Sequence, residues 1–187
     1  MTYIDIPIEI SYRLINHGPV VILASRDEKG INNIAPIAWN SPVCKEPPLM
    51  MSVVAKKHKT RSNITAQKEF IVCVPHVSQV ELVRQTGSVS GHEIDKFQKL
   101  SIKGIAGKKV AALVPEGCIG YLECKVVREV EIDDKEVIFI GEIVAAAAQE
   151  GAFEERLLIE KDEGRSLHHL GGAFFTAPDA NVINSGR

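Results

Sequence analysis

The densest chemistry in this chain lies in one short stretch, Lys56-Lys57-His58-Lys59-Thr60-Arg61-Ser62-Asn63-Ile64. Five potential cations crowd the start of a helix predicted from Thr60 to Glu69, which Thr60 caps and Ile64 anchors. Cations there oppose the positive end of the helix dipole. A bound phosphate relieves that conflict, held by helix N–H groups, the Thr60 hydroxyl and the basic side chains. A solvated basic loop is the other reading of the same residues. A second candidate runs from Gly30 to Pro42 and contains Asn33, Ala35, Pro36, Ala38 and Asn40. Proline has no N–H and interrupts a strand ladder. Small side chains beside it let a flat ligand approach the backbone, whose unpaired groups can bond its rim. An edge strand with a bulge explains the pattern equally.

Two further segments carry polar groups. Ser88 to Phe97 is polar and Gly-bearing, and reads as a surface loop running into a helix. In Leu167-His168-His169-Leu170-Gly171-Gly172 the adjacent histidines of an extended chain face opposite ways, so one of them lines any given pocket. They are not an i, i+4 pair, and no carboxylate stands at ligand spacing, so no metal site is assigned. No nucleophile–base constellation is visible either, and no catalytic acid, base or nucleophile is assigned. Cys44, Cys73, Cys118 and Cys124 form no C-x-x-C pair and read as small buried hydrophobes in a reducing compartment.

The elements that must position these segments are mostly strands. Val20–Ser25 and Ile31–Trp39 form a hairpin about a polar turn ending in Gly30. Leu49–Val54 is a third strand and Phe70–Pro75 a fourth, with a helix over Val77–Gln85 after it. Gly120–Glu131 and Val137–Ala147 form a long, half-buried hairpin, with Leu122, Cys124 and Val126 on one side and Glu123, Lys125 and Val127 on the other. Short strands with two or three short helices indicate a small decorated β-barrel or sandwich. No G-x-G-x-x-G turn and no G-x-x-x-x-G-K-[ST] loop occurs, which excludes Rossmann dinucleotide folds and P-loop NTPases.

The 187 residues suit one domain, 1–187. With 22 Lys and Arg against 24 Asp and Glu the net charge is −2, without the basic excess of a nucleic-acid binder. The longest apolar runs, such as Ile143–Ala148, fall far short of the ~20 residues that span a bilayer. Met1-Thr2-Tyr3-Ile4-Asp5 lacks the basic flank and apolar block of a signal peptide, so a cytoplasmic protein is expected.

In order and spacing, the segments resemble the flavin reductase-like, FMN-binding split-barrel family, which includes flavoredoxins and related ferric reductases. The resemblance runs from about Gly18 to Phe175. It is carried by N-I-A-P-I-A-W-N-S-P at Asn33–Pro42, P-P-L-M-M-S-V at Pro47–Val53, K-T-x-x-N-I at Lys59–Ile64, S-G-H-E-I-D-K-F at Ser90–Phe97 and L-H-H-L-G-G at Leu167–Gly172. It implies a mainly β, Greek-key split barrel with a few short flanking helices. It also implies FMN as cofactor, with Asn33, Ile34, Ala35, Pro36, Ala38 and Trp39 along the isoalloxazine. Ser52, Val53, Lys57, His58, Lys59, Thr60 and Asn63 belong to the phosphate-binding stretch, Ser90 and Gly91 to the ring and nicotinamide side, and His169 to the cofactor site. Many members carry Arg where this chain has His92, which makes that charge pH-dependent. The implied activity passes electrons from NADH or NADPH through flavin to a small-molecule or protein acceptor. A ferric-chelate reductase or a non-catalytic FMN electron carrier are the alternatives. The implied assembly is a homodimer, in which Trp39, Phe97, Phe153, Phe174 and Phe175 find cover.

Overall fold

A computed structural model describes residues 4–184; Met1–Tyr3, the head of the N-terminal stretch read above, lie outside them. In chain order the strands begin with Val21–Arg26 (β1), Asn32–Ile37 (β2), Asn40–Cys44 (β3) and Leu49–Ala55 (β4). Helix Lys59–Gln67 (α1), strand Glu69–Pro75 (β5) and helices Val80–Ser88 (α2) and Lys96–Lys99 (α3) follow. Two short strands, Gly104–Ala106 (β6) and Leu113–Pro115 (β7), precede the long pair Cys118–Glu131 (β8) and Glu136–Ala148 (β9). His168–Gly171 (β10) and Phe174–Thr176 (β11) close the chain's regular structure.

Seven strands form one antiparallel sheet in the order β2-β1-β5-β8-β9-β4-β3. Its outer strands β2 and β3 are not paired to each other, so the barrel stays open on that side. The first turn works as its residues dictate. Asp27 Oδ1 accepts from the N–H groups of Lys29 and Ile31, and Gly30 takes the positive φ of 84°.

β1 and β5 read as unbroken apolar runs because both their faces are covered. Ile22, Ala24, Ile71 and Cys73 face one cluster with Val83 of α2 and Val114 of β7. Val21, Leu23, Phe70 and Val72 face the other, with Val54, Ile64 and Phe139. α2 and the β6–β7 excursion are thus the lid of the first core, and the curled sheet itself encloses the second.

Several boundaries differ from the sequence reading. The strand expected to reach Trp39 ends at Ile37, and β3 follows at once with Pro42 inside it. An edge strand tolerates proline, because its outward N–H needs no ladder partner. The helix expected over Val77–Gln85 is a 3-10 turn, Val77–Gln79, followed by α2. The alternation expected in β8 holds, with Leu122, Cys124 and Val126 toward the second core and Glu123 on the opposite face, but Glu123 and Cys124 are both fully buried. Both faces of β8 are covered there, Cys124 by the second core and Glu123 by the loop between β6 and β7.

Candidate functional site

The first turn of α1, the α2–α3 loop and the β2 strand enclose a cleft of about 330 Å³. Asn33, Ala35 and Pro36 of β2 form its floor, and Lys57, His58, Lys59 and Thr60 one wall. Thr86 to Gly91 and Lys96 supply the other. Asn33, Ala35, Pro36, Lys57, His58, Lys59, Thr60, Ser90 and Gly91 therefore stand together, as the sequence motifs placed them.

Asn33 is almost fully buried, and its Nδ2 donates to Thr60 Oγ1 at 2.9 Å. Its Oδ1 is buried with no hydrogen-bond partner among the described residues. Gly91 lies directly over that oxygen: a Cβ there would sit 2.1 Å from Asn33 Oδ1. Only glycine lets the loop settle onto Asn33. Thr60 is not the helix cap that the sequence suggested. The cap position is His58, with no side-chain cap bond, and Thr60 lies inside α1 with its hydroxyl turned to Asn33. The first turn of α1 also carries no acidic residue. Its N–H groups are left without a carboxylate or hydroxyl of their own element.

The five cations do not share one task. Lys56 pairs with Glu131, and Arg61 Nη2 lies 3.5 Å from Glu131 and 3.8 Å from Glu129. Lys59 Nζ reaches Asp27 Oδ2 at 3.1 Å. Lys57 and His58 keep no carboxylate within ion-pair distance among the described residues, and both face the cleft. Burial holds the His58 imidazole below its ordinary range, and the positive groups Lys57, Lys96 and His92 add to that. An anion in the cleft would reverse the electrostatic part.

Lys96 was missing from the sequence-derived set. It is the first residue of α3, whose N-cap Asp95 accepts from Gln98 N–H at 3.1 Å. The side chain is buried, with Nζ donating to the carbonyls of Thr86 at 2.6 Å and Ile34 at 2.8 Å. Burial brings its pKa down to about 8. The capping Asp before it marks where α3 begins, but no local pattern shows that the ammonium turns inward to β2.

The remaining candidates stand elsewhere. Ile34 packs in the first core, and its carbonyl is the one that meets Lys96. Ser52 is fully buried on β4 with an unpartnered hydroxyl, and neither it nor Val53 lines the cleft. Asn63 is buried, bonded to Ser25 Oγ at 3.1 Å, and ties α1 to β1. Trp39 is 45% exposed, edge-on to Tyr12 at 5.6 Å. Ala38 and His169 line a second cavity of about 450 Å³, which shares Pro36, Gly87 and Ser88 with the cleft. His168 faces the other way, toward the His17 carbonyl at 3.2 Å.

The cleft is shaped for an anionic ligand: an ammonium without a carboxylate partner and an imidazole at an open helix start, and a buried ammonium at its side. Residues 13–168 match the sequence model of the flavin reductase like domain. The protein YddH of Escherichia coli is 37% identical over 182 residues, covering 95% of this chain and 96% of its own. A flavoredoxin from Methanosarcina acetivorans has a similar structure, with TM-score 0.82 at 25% identity over 99% of this chain and 96% of its own. The FMN-binding domain of a flavin reductases-like enzyme from Shewanella baltica gives TM-score 0.79 at 27% identity, over 97% and 96%. The open barrel described above is the fold these proteins share, and the chain belongs to the flavin reductase-like family.

Proposed function

We propose that the cleft binds FMN and that the protein passes electrons from NADH or NADPH through it to an acceptor. The observation that carries this reading is the pairing of an open α1 start, flanked by Lys57 and His58 without carboxylate partners, with the small-residue floor of Ala35 and Pro36 on the strand opposite. The first matches a phosphate. The second matches the face of a flat ring. Bound there, the flavin supplies the electron-transfer chemistry, and the protein supplies orientation and electrostatics. Ala35 and Pro36 give the small, flat floor. Lys57 and His58 hold the phosphate. Lys96, pinned between two carbonyls, sets a positive charge at the floor of the cleft, where it stabilises negative charge gathered on a reduced ring.

The same reading makes the protein a cytoplasmic homodimer. Trp39, Phe153 and Phe174 are 45%, 55% and 72% exposed, and the Ile8–Leu14 3-10 turn buries none of its residues. Phe97 and Phe175, expected in the same interface set, instead pack partly against the first core.

Anaerobic addition of NADH or NADPH to the FMN-loaded protein tests the electron path: bleaching of the flavin band is expected, and an unchanged spectrum with both donors refutes it. Lys57→Glu tests the clamp. FMN affinity is expected to fall at least tenfold while riboflavin, which has no phosphate, changes less than twofold. Equal losses for both ligands would show that the turn is only structural.

A further inference from the structure

We propose that the second cavity binds the electron acceptor, and that this acceptor is a neutral, flat, ring-shaped molecule of the quinone class. Its role as an acceptor site rests on the flavin reading; its chemistry as a binding site does not.

The cavity joins the cleft along Pro36, Gly87 and Ser88. Gly87 makes that junction possible, since a Cβ there would come within 3.0 Å of Pro36 Cγ. A ring held in the cavity therefore lies beside whatever rests on Pro36. The walls are Val20, Val80, Val83 and Phe175, with the small Ala38 and Ala173 between them. At about 450 Å³ the space falls within the range of small-molecule sites.

Its one charged side chain is already committed. Arg84 is the one Lys, Arg, Asp or Glu in the lining, and Glu81 neutralises it: Nε donates to Oε2 at 2.8 Å and Nη2 to Oε1 at 2.5 Å. Gln85 donates to the same carboxylate at 2.8 Å. His169 Nε2 bonds the Gly172 carbonyl at 3.0 Å, which can only accept, so Nε2 carries hydrogen. The imidazole stands 5.1 Å from the Phe175 ring, and its Nδ1 is buried without a partner. An anion entering here would find no unpaired charge and would have to displace Glu81. The cleft next to it holds the opposite arrangement, with unpaired Lys57 and His58. The two compartments thus sort ligands by charge, and ferric chelates and nucleotide phosphates are the ones this cavity rejects. Reduction of a quinone here takes a hydride from reduced flavin and a proton from solvent, leaving hydroquinone and oxidised flavin.

Equilibrium dialysis with duroquinone, which carries no free ring position for thiols to attack, tests the site without turnover. The FMN-loaded protein is expected to retain duroquinone. Ala173→Trp and Val80→Trp, both at partly exposed positions, should each weaken it at least tenfold and leave FMN affinity within twofold. Glu81→Gln, which frees Arg84, should tighten anthraquinone-2-sulfonate at least fivefold. The proposal is overturned if both Trp variants bind duroquinone like the wild type. It is also overturned if Glu81→Gln leaves the sulfonate unaffected, or if FMN or self-association at high concentration expels duroquinone. Failure of FMN to bind at all sinks the flavin reading instead; duroquinone retained by that protein and lost in both Trp variants still supports the site.

Discussion

Thr60 shows how one hydroxyl changes meaning between sequence and structure. At the start of a helix it reads as a cap, yet it is the acceptor that fixes the Asn33 amide under Gly91. Thr60→Ala leaves the buried Asn33 amide with both its ends unpartnered, a loss of roughly 1–3 kcal/mol in unfolding free energy. Thr60→Ser keeps the bond and should restore most of that stability and of FMN affinity, measured by denaturant unfolding and fluorescence titration. If Ala and Ser behave alike, the bond is not what orders Asn33. Lys96 gives a pH test with two opposite signs. Its pKa of about 8 lies below that of an unfolded lysine, near 10.4. The unfolded chain binds more protons between those values, so folding stability should rise as pH climbs from 8 toward 10. Over the same window the cleft loses its buried positive charge, so FMN affinity should fall. Lys96→Met should flatten both trends; a pH profile of FMN affinity that survives the substitution would assign the effect to another group.

At the scale of elements, much of the site was legible because its residues are near neighbours in sequence. The Lys57–Thr60 turn and the Asn33–Pro36 strand announce themselves by charge and by an interrupted ladder. Lys96 did not, and Ser52 and Asn63, expected with the phosphate, are buried away from the cleft, since burial depends on which element packs on which, and that is a long-range property. Glu123 of β8 is the clearest case. A two-residue period sets Glu123 on the face opposite Leu122 and Cys124, where it stands, but says nothing of the loop that covers that face and buries it completely. There it accepts from the N–H groups of Lys108, Lys109 and Val110 at 2.7, 2.6 and 2.7 Å, anchoring the loop between β6 and β7. Burial pushes its carboxyl upward, but those three N–H groups more than offset this and hold it below the usual 4.5. A lowered pKa means its stabilisation is full above about pH 4.5 and lost as pH falls through the lower folded value. Glu123→Gln should cost about 2–3 kcal/mol at pH 7 and reduce the acid sensitivity of unfolding. An unchanged acid limb in the variant would mean other carboxylates govern it.

For the whole molecule, the order of strands was beyond local reading: nothing in the sequence states that β8 and β9 insert between β5 and β4. The exposed apolar side chains were half legible. Trp39, Phe153 and Phe174 stand out as expected, whereas Ile4, Ile8, Leu14 and Ile15, at 84%, 80%, 69% and 83% exposure, add an arm that sequence patterning did not flag. Such an arm suits an interface core more than solvent. Sedimentation at low micromolar concentration should therefore show a dimer, and deleting residues 1–15 should shift it toward monomer. A full-length chain that runs as a monomer while binding FMN tightly would separate the cofactor from the assembly.

The open side of the barrel has a consequence for how the protein moves. β1 and β5 are clamped between two cores, so their amides should exchange with deuterium only on global unfolding. β2, the floor of the cleft, is the sheet's free border and is held along one side only. Its outward amides report local opening, a far cheaper event. The ligand's seat is thus built on a border strand of an otherwise rigid wall, and occupancy of the cleft would be felt first as slowed exchange along that border rather than as any change in the core.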